Sequence, residues 1–186
     1  DLDVGTTGPK LWGGVFGGGS SDSAPVDRSN LYGGIVAGTH AQLSGMVQLG
    51  GLGGVVQSSA SELNGTETLA STTGVVGLYG SAQMGVANVD FALLGGYSAH
   101  TSNRKVVANN TVEIAKGLFS SVFIAPSVAL SIPVLSNEAG DVSLTGGISY
   151  VGGLTSGYTE TGSSMNLVVG KQSIGVLDAR LGAGAR

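Results

Sequence analysis

Val89-Asp90-Phe91-Ala92-Leu93-Leu94-Gly95-Gly96-Tyr97-Ser98-Ala99-His100 reads with a period of two. Val89, Phe91, Leu93, Gly95, Tyr97 and Ala99 form one set, and Asp90, Ala92, Leu94, Gly96, Ser98 and His100 the other. Successive side chains of a strand point to opposite faces, so this segment has one apolar face and one small or polar face. The pattern recurs at Asp141–Val151, where Val142, Leu144, Ile148 and Tyr150 oppose Ser143, Thr145, Gly147 and Ser149. It recurs again at Ser121–Val134, and more weakly at Leu11–Gly18, Leu31–Gln42, Met46–Gln57, Val75–Met84 and Leu167–Leu181. These eight segments are the candidate strands.

The connections between them alternate in length. Ser20–Ser29, Ser58–Thr73, Thr101–Asn110 and Gly157–Met165 read as long polar loops, and Leu43–Gly45, Gly85–Asn88 and Leu135–Gly140 as short turns. Short turns at one end and long loops at the other are the pattern of an outer-membrane barrel. Pro126 and Pro133 fall inside the best-patterned strand, where a missing N–H calls for a bulge or another local adjustment at Pro126. Trp12, Tyr32, Tyr79, Tyr97, Tyr150 and Tyr158 fall near strand ends, as partial interfacial belts would.

Composition agrees. Of 186 residues, 34 are glycine, 41% are hydrophobic and only 11% are charged, with no cysteine. Disorder requires low hydrophobicity with high net charge, and collagen a glycine at every third position; neither holds. A disulfide framework and a thiolate metal site are excluded. A net charge of −4 argues against nucleic acid as a partner. The mean hydropathy is positive (+0.30), yet the apolar runs are far shorter than the roughly 20 residues of a spanning helix. No basic segment followed by an apolar stretch opens the chain, so no signal peptide is expected in it. Strands that are apolar on one face reconcile the hydropathy with the short runs. The reading is an all-β, antiparallel, up-and-down transmembrane barrel, with residues 1–9 as a lead-in and 10–186 as the barrel. The competing reading is a soluble, glycine-rich extracellular β-protein of a structural or adhesive surface assembly.

No catalytic pattern stands out. There is no G-x-S-x-G elbow and no G-x-G-x-x-G after a strand, and Gly170-Lys171 lacks the rest of a phosphate loop. His40 and His100 have no close partner in sequence, so neither a metal site nor a triad is expected. Gly13-Gly14, Gly33-Gly34, Gly50-Gly51, Gly53-Gly54, Gly95-Gly96 and Gly146-Gly147 lie within strand patterns. Inward glycines relieve crowding in a small barrel and permit strong strand coiling.

Tyr158-Thr159-Glu160-Thr161-Gly162, then Asn166-Leu167-Val168-Val169 and Leu177-Asp178-Ala179-Arg180-Leu181-Gly182-Ala183, resemble the translocator β-domain of classical autotransporters. Leu11–Gly18, with Trp12, is similar to that family's opening strand, Leu31–Gly38 to its second, and Gly95-Gly96-Tyr97 before a polar loop with Arg104 to its fifth. The resemblance runs from Leu11 to Arg186. It implies a twelve-stranded barrel of which about eight strands are present, so a partial family member is expected. It also implies transport or anchoring of a passenger segment at the bacterial cell surface, without enzymatic activity or cofactor. The partners it implies are membrane lipid, the passenger and the outer-membrane insertion machinery. Glu160 is the residue singled out at the rim, expected to meet Arg104, Arg180 or loop backbone; Trp12 and Tyr158 are further lumen or rim candidates.

Overall fold

The computed structural model describes residues 8–22, 27–62, 65–108, 110–137 and 140–185. The expected lead-in lies mostly outside them, as do the central residues of the Leu135–Gly140 turn. Seven strands follow one another up and down: β1 Lys10–Asp22, β2 Arg28–Ser44, β3 Val47–Glu62, β4 Glu67–Met84, β5 Ala87–Ala108, β6 Thr111–Asn137 and β7 Gly140–Thr155. Two short strands, β8 Tyr158–Thr159 and β9 Val168–Val169, precede the last, β10 Gln172–Ala185. The large sheet has the order β1-β2-β3-β4-β5-β6-β7-β10, and β8 pairs with β9. All pairs are antiparallel neighbours in sequence or joined by the β8–β9 excursion. Seven of the eight expected strands lie in the sheet as expected; the eighth, Leu167–Leu181, is divided, with β9 in the small sheet and β10 beginning only at Gln172, while the expected Gly157–Met165 loop contains β8. Among the described residues the sheet is open, with β1 and β10 at its edges.

Register fixes the faces. Tyr97 pairs with Val122 and Val122 with Leu154; Phe91 pairs with Val128 and Val128 with Ile148. These side chains share one face and are all substantially exposed, as are Ile35, Val76, Leu78, Leu177 and Leu181. Among the described residues only Val106 and Ala115 are buried hydrophobics. The opposite face carries Ser71, Thr73, Ser98, His100, Ser121, Ser127 and Ser149. On it the Trp12 indole (β1) donates to the Tyr79 hydroxyl (β4) at 2.5 Å. Three strand spacings of about 4.8 Å separate those strands. The two side chains meet because the sheet curls toward this face, which is concave; the apolar face is convex.

The concave aromatics lie over glycines. A Cβ at Gly38 would come within 2.6 Å of the Trp12 ring, and one at Gly50 within 2.5 Å of Tyr79. Trp12, Tyr32, Tyr79 and Tyr158 are thus not interfacial belts: register or ring contacts put all four on the concave side. Tyr97 and Tyr150 alone of the expected set turn outward.

Two expectations about chain path need correction. Ser58–Thr73 and Thr101–Asn110 are not long loops: β3 continues to Glu62, β4 starts at Glu67, and β5 and β6 run to Ala108 and from Thr111. Asn110, at φ 65°, takes the tight turn between them. Here β3, β4 and most of β5 continue with Ser, Thr and Asn outward, so the ladder persists where their apolar alternation stops; β6 keeps Val112, Ile114 and Leu118 outward. At Pro126 the expected local adjustment takes the form of a gap in the ladder and not of a bulge. The β6–β7 ladder skips Ala125 and Pro126 and resumes at Ser127↔Ser149 in the same register as Ile124↔Gly152. A proline lacks the donor that the ladder would use there. The register shift falls instead between Pro133 and Leu135.

Candidate functional site

At the end where β5 joins β6, β6 extends well beyond the last residue of β7. The chain after β7 occupies that free edge. The Ser156 amide donates to the Ser120 carbonyl at 2.8 Å, and Lys116 and Thr161 exchange backbone bonds of 2.8 and 2.9 Å. The residue sums slip by one between Thr155↔Ser121 and Thr161↔Lys116, so side-chain parity flips. Odd positions face inward on β7, whereas Tyr158 and Glu160 do so beyond it. Gly162, at φ 91°, turns the chain back. β8 and β9 are thus a kinked continuation of the β7–β10 hairpin, folded over the concave face.

Three contacts hold this tip down. Tyr158 stacks on Phe119 with centroids 4.5 Å apart, and Phe119 stacks on His100 at 4.7 Å. Gly117 supplies the floor: a Cβ there would lie 2.4 Å from the Tyr158 ring. The second contact is Glu160, only 4% exposed. Arg104 grips it bidentately, Nη2 donating to Oε2 at 2.5 Å and Nε to Oε1 at 3.2 Å. The same Nη2 donates to the Met165 carbonyl at 3.1 Å, and the Leu167 amide donates to Glu160 Oε2 at 2.9 Å. The Arg104 guanidinium beside it, helped by the Leu167 amide, holds the Glu160 carboxyl below the usual range despite its burial. The third contact is Glu113. Its Oε2 accepts from the Ser164 amide at 2.6 Å and from the hydroxyls of Ser164 (2.8 Å) and Ser163 (2.9 Å). The Ser164 amide is the main cause of its lowered pKa.

Sequence reading offered Glu160 two arginines. The structure puts Arg104 against it, while Arg180 pairs with Asp178 two residues away on the same strand at 2.7 Å. Trp12 sits elsewhere on the concave face with Tyr79 and His40, whose Nδ1 is 3.3 Å from the Tyr79 hydroxyl. Sequence reasoning missed Glu113, because a lone acid carries no signal until β6 is known to begin before it. It also missed the setting of His100, whose ring nitrogens contact Ser71 Oγ at 2.6 Å on β4 and Ser121 Oγ at 2.8 Å on β6. Both partners come from neighbouring strands, which spacing along one strand cannot show. No group of acids and histidines suited to a metal ion occurs among the described residues.

A protein-family model, the autotransporter β-domain, matches residues 11–186. Among solved structures, the translocator domain of autotransporter NalP from Neisseria meningitidis is similar, with a TM-score of 0.81 at 18% sequence identity. The match covers 99% of this chain and 64% of that chain, so this chain spans just under two thirds of the length of that structure. No curated protein matches.

Proposed function

Because the chain belongs to the autotransporter β-domain family, an outer-membrane family of secretion barrels, we propose that its concave face lines the route by which a passenger segment reaches the cell surface and is anchored there. The observation that carries this reading is the inverted distribution of side chains. The most exposed large apolar residues crowd the convex face, where lipid would cover them, whereas on the concave face hydroxyls and glycines alternate with half-buried Val36, Leu52, Leu94 and Phe123, two of which (Leu94, Phe123) lie over glycines. A soluble chain with this much exposed apolar surface would aggregate, which argues against the soluble assembly. The uncharged middle of the concave face sets hydroxyls (Ser71, Thr73, Ser98, Ser121, Ser127) among apolar Leu94 and Phe123, and so offers hydrogen bonds without charged sites that would trap a sliding segment.

The function needs no chemistry from the barrel. Hydroxyls flank both ring nitrogens of His100, and among the described residues no carboxylate hydrogen-bonds to it. The clamp of Glu160 and Arg104 fixes the mouth, with no proton-transfer role. Insertion machinery and membrane lipid complete the set of partners.

Photo-crosslinking in cells that express the whole parent protein tests the route. A photoreactive residue at Ser127, on the concave face, should capture the passenger during export, and one at Val128 should not. Equal capture at both, or capture at Val128 alone, would overturn the proposal.

A further inference from the structure

Ionised side chains are sorted between the two faces of the sheet. Register puts Asp22, Glu62, Glu67, Asp90, Glu113 and Asp178 on the concave face, together with Lys10, Arg28, Arg104 and Arg180. Among the described strand residues, only Lys105 and Lys116 are charged and convex. Both are exposed. Lys105 faces Ile114 and Lys116 faces Asn103, which makes the lysines diagonal neighbours, about 7–8 Å apart at the backbone. Arg28, Arg104 and Arg180 each pair with a carboxylate, whereas neither lysine forms an ion pair among the described residues.

Their height is equally specific. Above the row of Tyr97, Val122 and Leu154 the convex face turns mixed: β3–β5 show Gln57, Ser59, Thr72, Thr101 and Asn103, while β6 keeps exposed Leu118, Ile114 and Val112, with Val107 beside them on β5. In this zone lies a shallow groove of about 740 Å³ whose convex lining includes Gln57, Ser59, Thr72 and Thr101 beside Leu31 and smaller residues. The lysines stand above the groove, on the β5–β6 tip. An outward face whose continuous apolar band gives way to hydroxyls interspersed with single apolar side chains, beneath two unpaired ammonium groups, is complementary to a lipid whose polar, anionic part sits over its acyl chains.

We propose that Lys105 and Lys116, with the hydroxyl groove beneath them, form a docking surface for the phosphate-bearing headgroup of an outer-leaflet lipid. The proposal rests on the outer-membrane placement of the chain. The lipid's phosphate meets the two ammoniums and its sugar or glycerol hydroxyls meet the groove. Its acyl chains continue down the convex face past Tyr97. The attraction weakens with salt, because the pair is exposed to water.

The full-length protein, placed in phosphatidylcholine bilayers, is titrated with three probes: bisphosphorylated lipid A, enzymatically dephosphorylated lipid A, and inorganic phosphate. Bound lipid is counted by native mass spectrometry. The expected result is preference for the phosphorylated form, lowered roughly tenfold or more in a Lys105→Gln/Lys116→Gln variant. Lys105→Arg/Lys116→Arg and the concave-face Lys10→Gln should keep that preference, and millimolar inorganic phosphate should not compete. Equal binding of the two lipid A forms, an unchanged Lys105→Gln/Lys116→Gln variant, or full competition by inorganic phosphate would each overturn the proposal. Failure of the unmodified protein to enter bilayers at all would instead strike at the membrane placement, and the proposal would fall with it.

Discussion

Glu160 joins the last part of the chain to β5 through a single carboxylate. It takes two bonds from Arg104 and one from the Leu167 amide, and is almost fully buried. Hydrogen bonds to a charged group contribute about 1.5–3 kcal/mol each, and a bidentate arginine adds geometric specificity. Glu160→Gln keeps the shape and loses the charge. It should leave membrane insertion intact and raise the rate of proteolytic cleavage within Tyr158–Val169 by on the order of tenfold, through easier local opening. Arg180→Gln, which removes only the exposed pair with Asp178, should leave that cleavage unchanged.

The same carboxylate sets a pH dependence. Its pKa in the folded protein lies below the unfolded value near 4.3, so its stabilisation is fully present above that value. It is lost as pH falls through the lowered folded value. Glu113 titrates in the same direction. Protease protection of the tip should therefore be flat from pH 8 to 6 and fail only below the ordinary glutamate range. A loss centred near pH 6.5 would implicate a histidine instead.

At the scale of elements, parity is the organising quantity. A convex residue near the middle of the band meets hydrocarbon, where an arginine costs about 2–4 kcal/mol. Leu93→Arg and Ile148→Arg should impair insertion, and Ser149→Arg and Asp90→Asn, on the concave face, should be tolerated; heat-modifiable electrophoretic mobility of the inserted protein reads both. The tip obeys a second constraint. Gly117→Val would drive a side chain into the Tyr158 ring and Ser102 Oγ, so it should expose the tip to protease as Glu160→Gln does. Tyr158→Ala should remove most of the additional effect of that valine, because the clash is with side chains rather than backbone.

The elements also show what a sequence can carry. Val89–His100 announced its strand and both of its faces, because lipid on one side and water on the other impose a strict alternation. Above the membrane that contrast vanishes. Thr68, Ala70, Thr101 and Asn103 continue β4 and β5 with no apolar periodicity to mark them, and the polar stretches read as loops. The clamp was half legible. Glu160 and Arg104 stood out through a resemblance, but their contact depends on the register of β6 and on a one-residue slip after Thr155 that no local pattern encodes. Aromatic residues misled for a related reason: nearness to a strand end says nothing about face, and glycine floors drew Trp12 and Tyr79 inward.

Taken whole, the molecule has its apolar surface on the outside of a curled sheet and its hydroxyls inside. The continuous convex apolar band runs from Val122 to Ile132 on β6, eleven residues and thus ten residue steps. At about 3.3 Å per residue that is roughly 33 Å along the strand, or about 25 Å in height at a tilt near 40°, which matches the apolar band of an outer-membrane barrel. These 186 residues contain no cysteine, so single cysteines can be introduced one at a time along Val122–Ala129 and probed in native outer membranes with a water-soluble, membrane-impermeant maleimide, after permeabilisation that admits it to both ends of the barrel. The account predicts alternation: cysteines replacing Phe123, Ala125, Ser127 and Ala129 react, and those replacing Val122, Ile124, Pro126 and Val128 are shielded by lipid. Uniform labelling along the strand, or the opposite alternation, would contradict it.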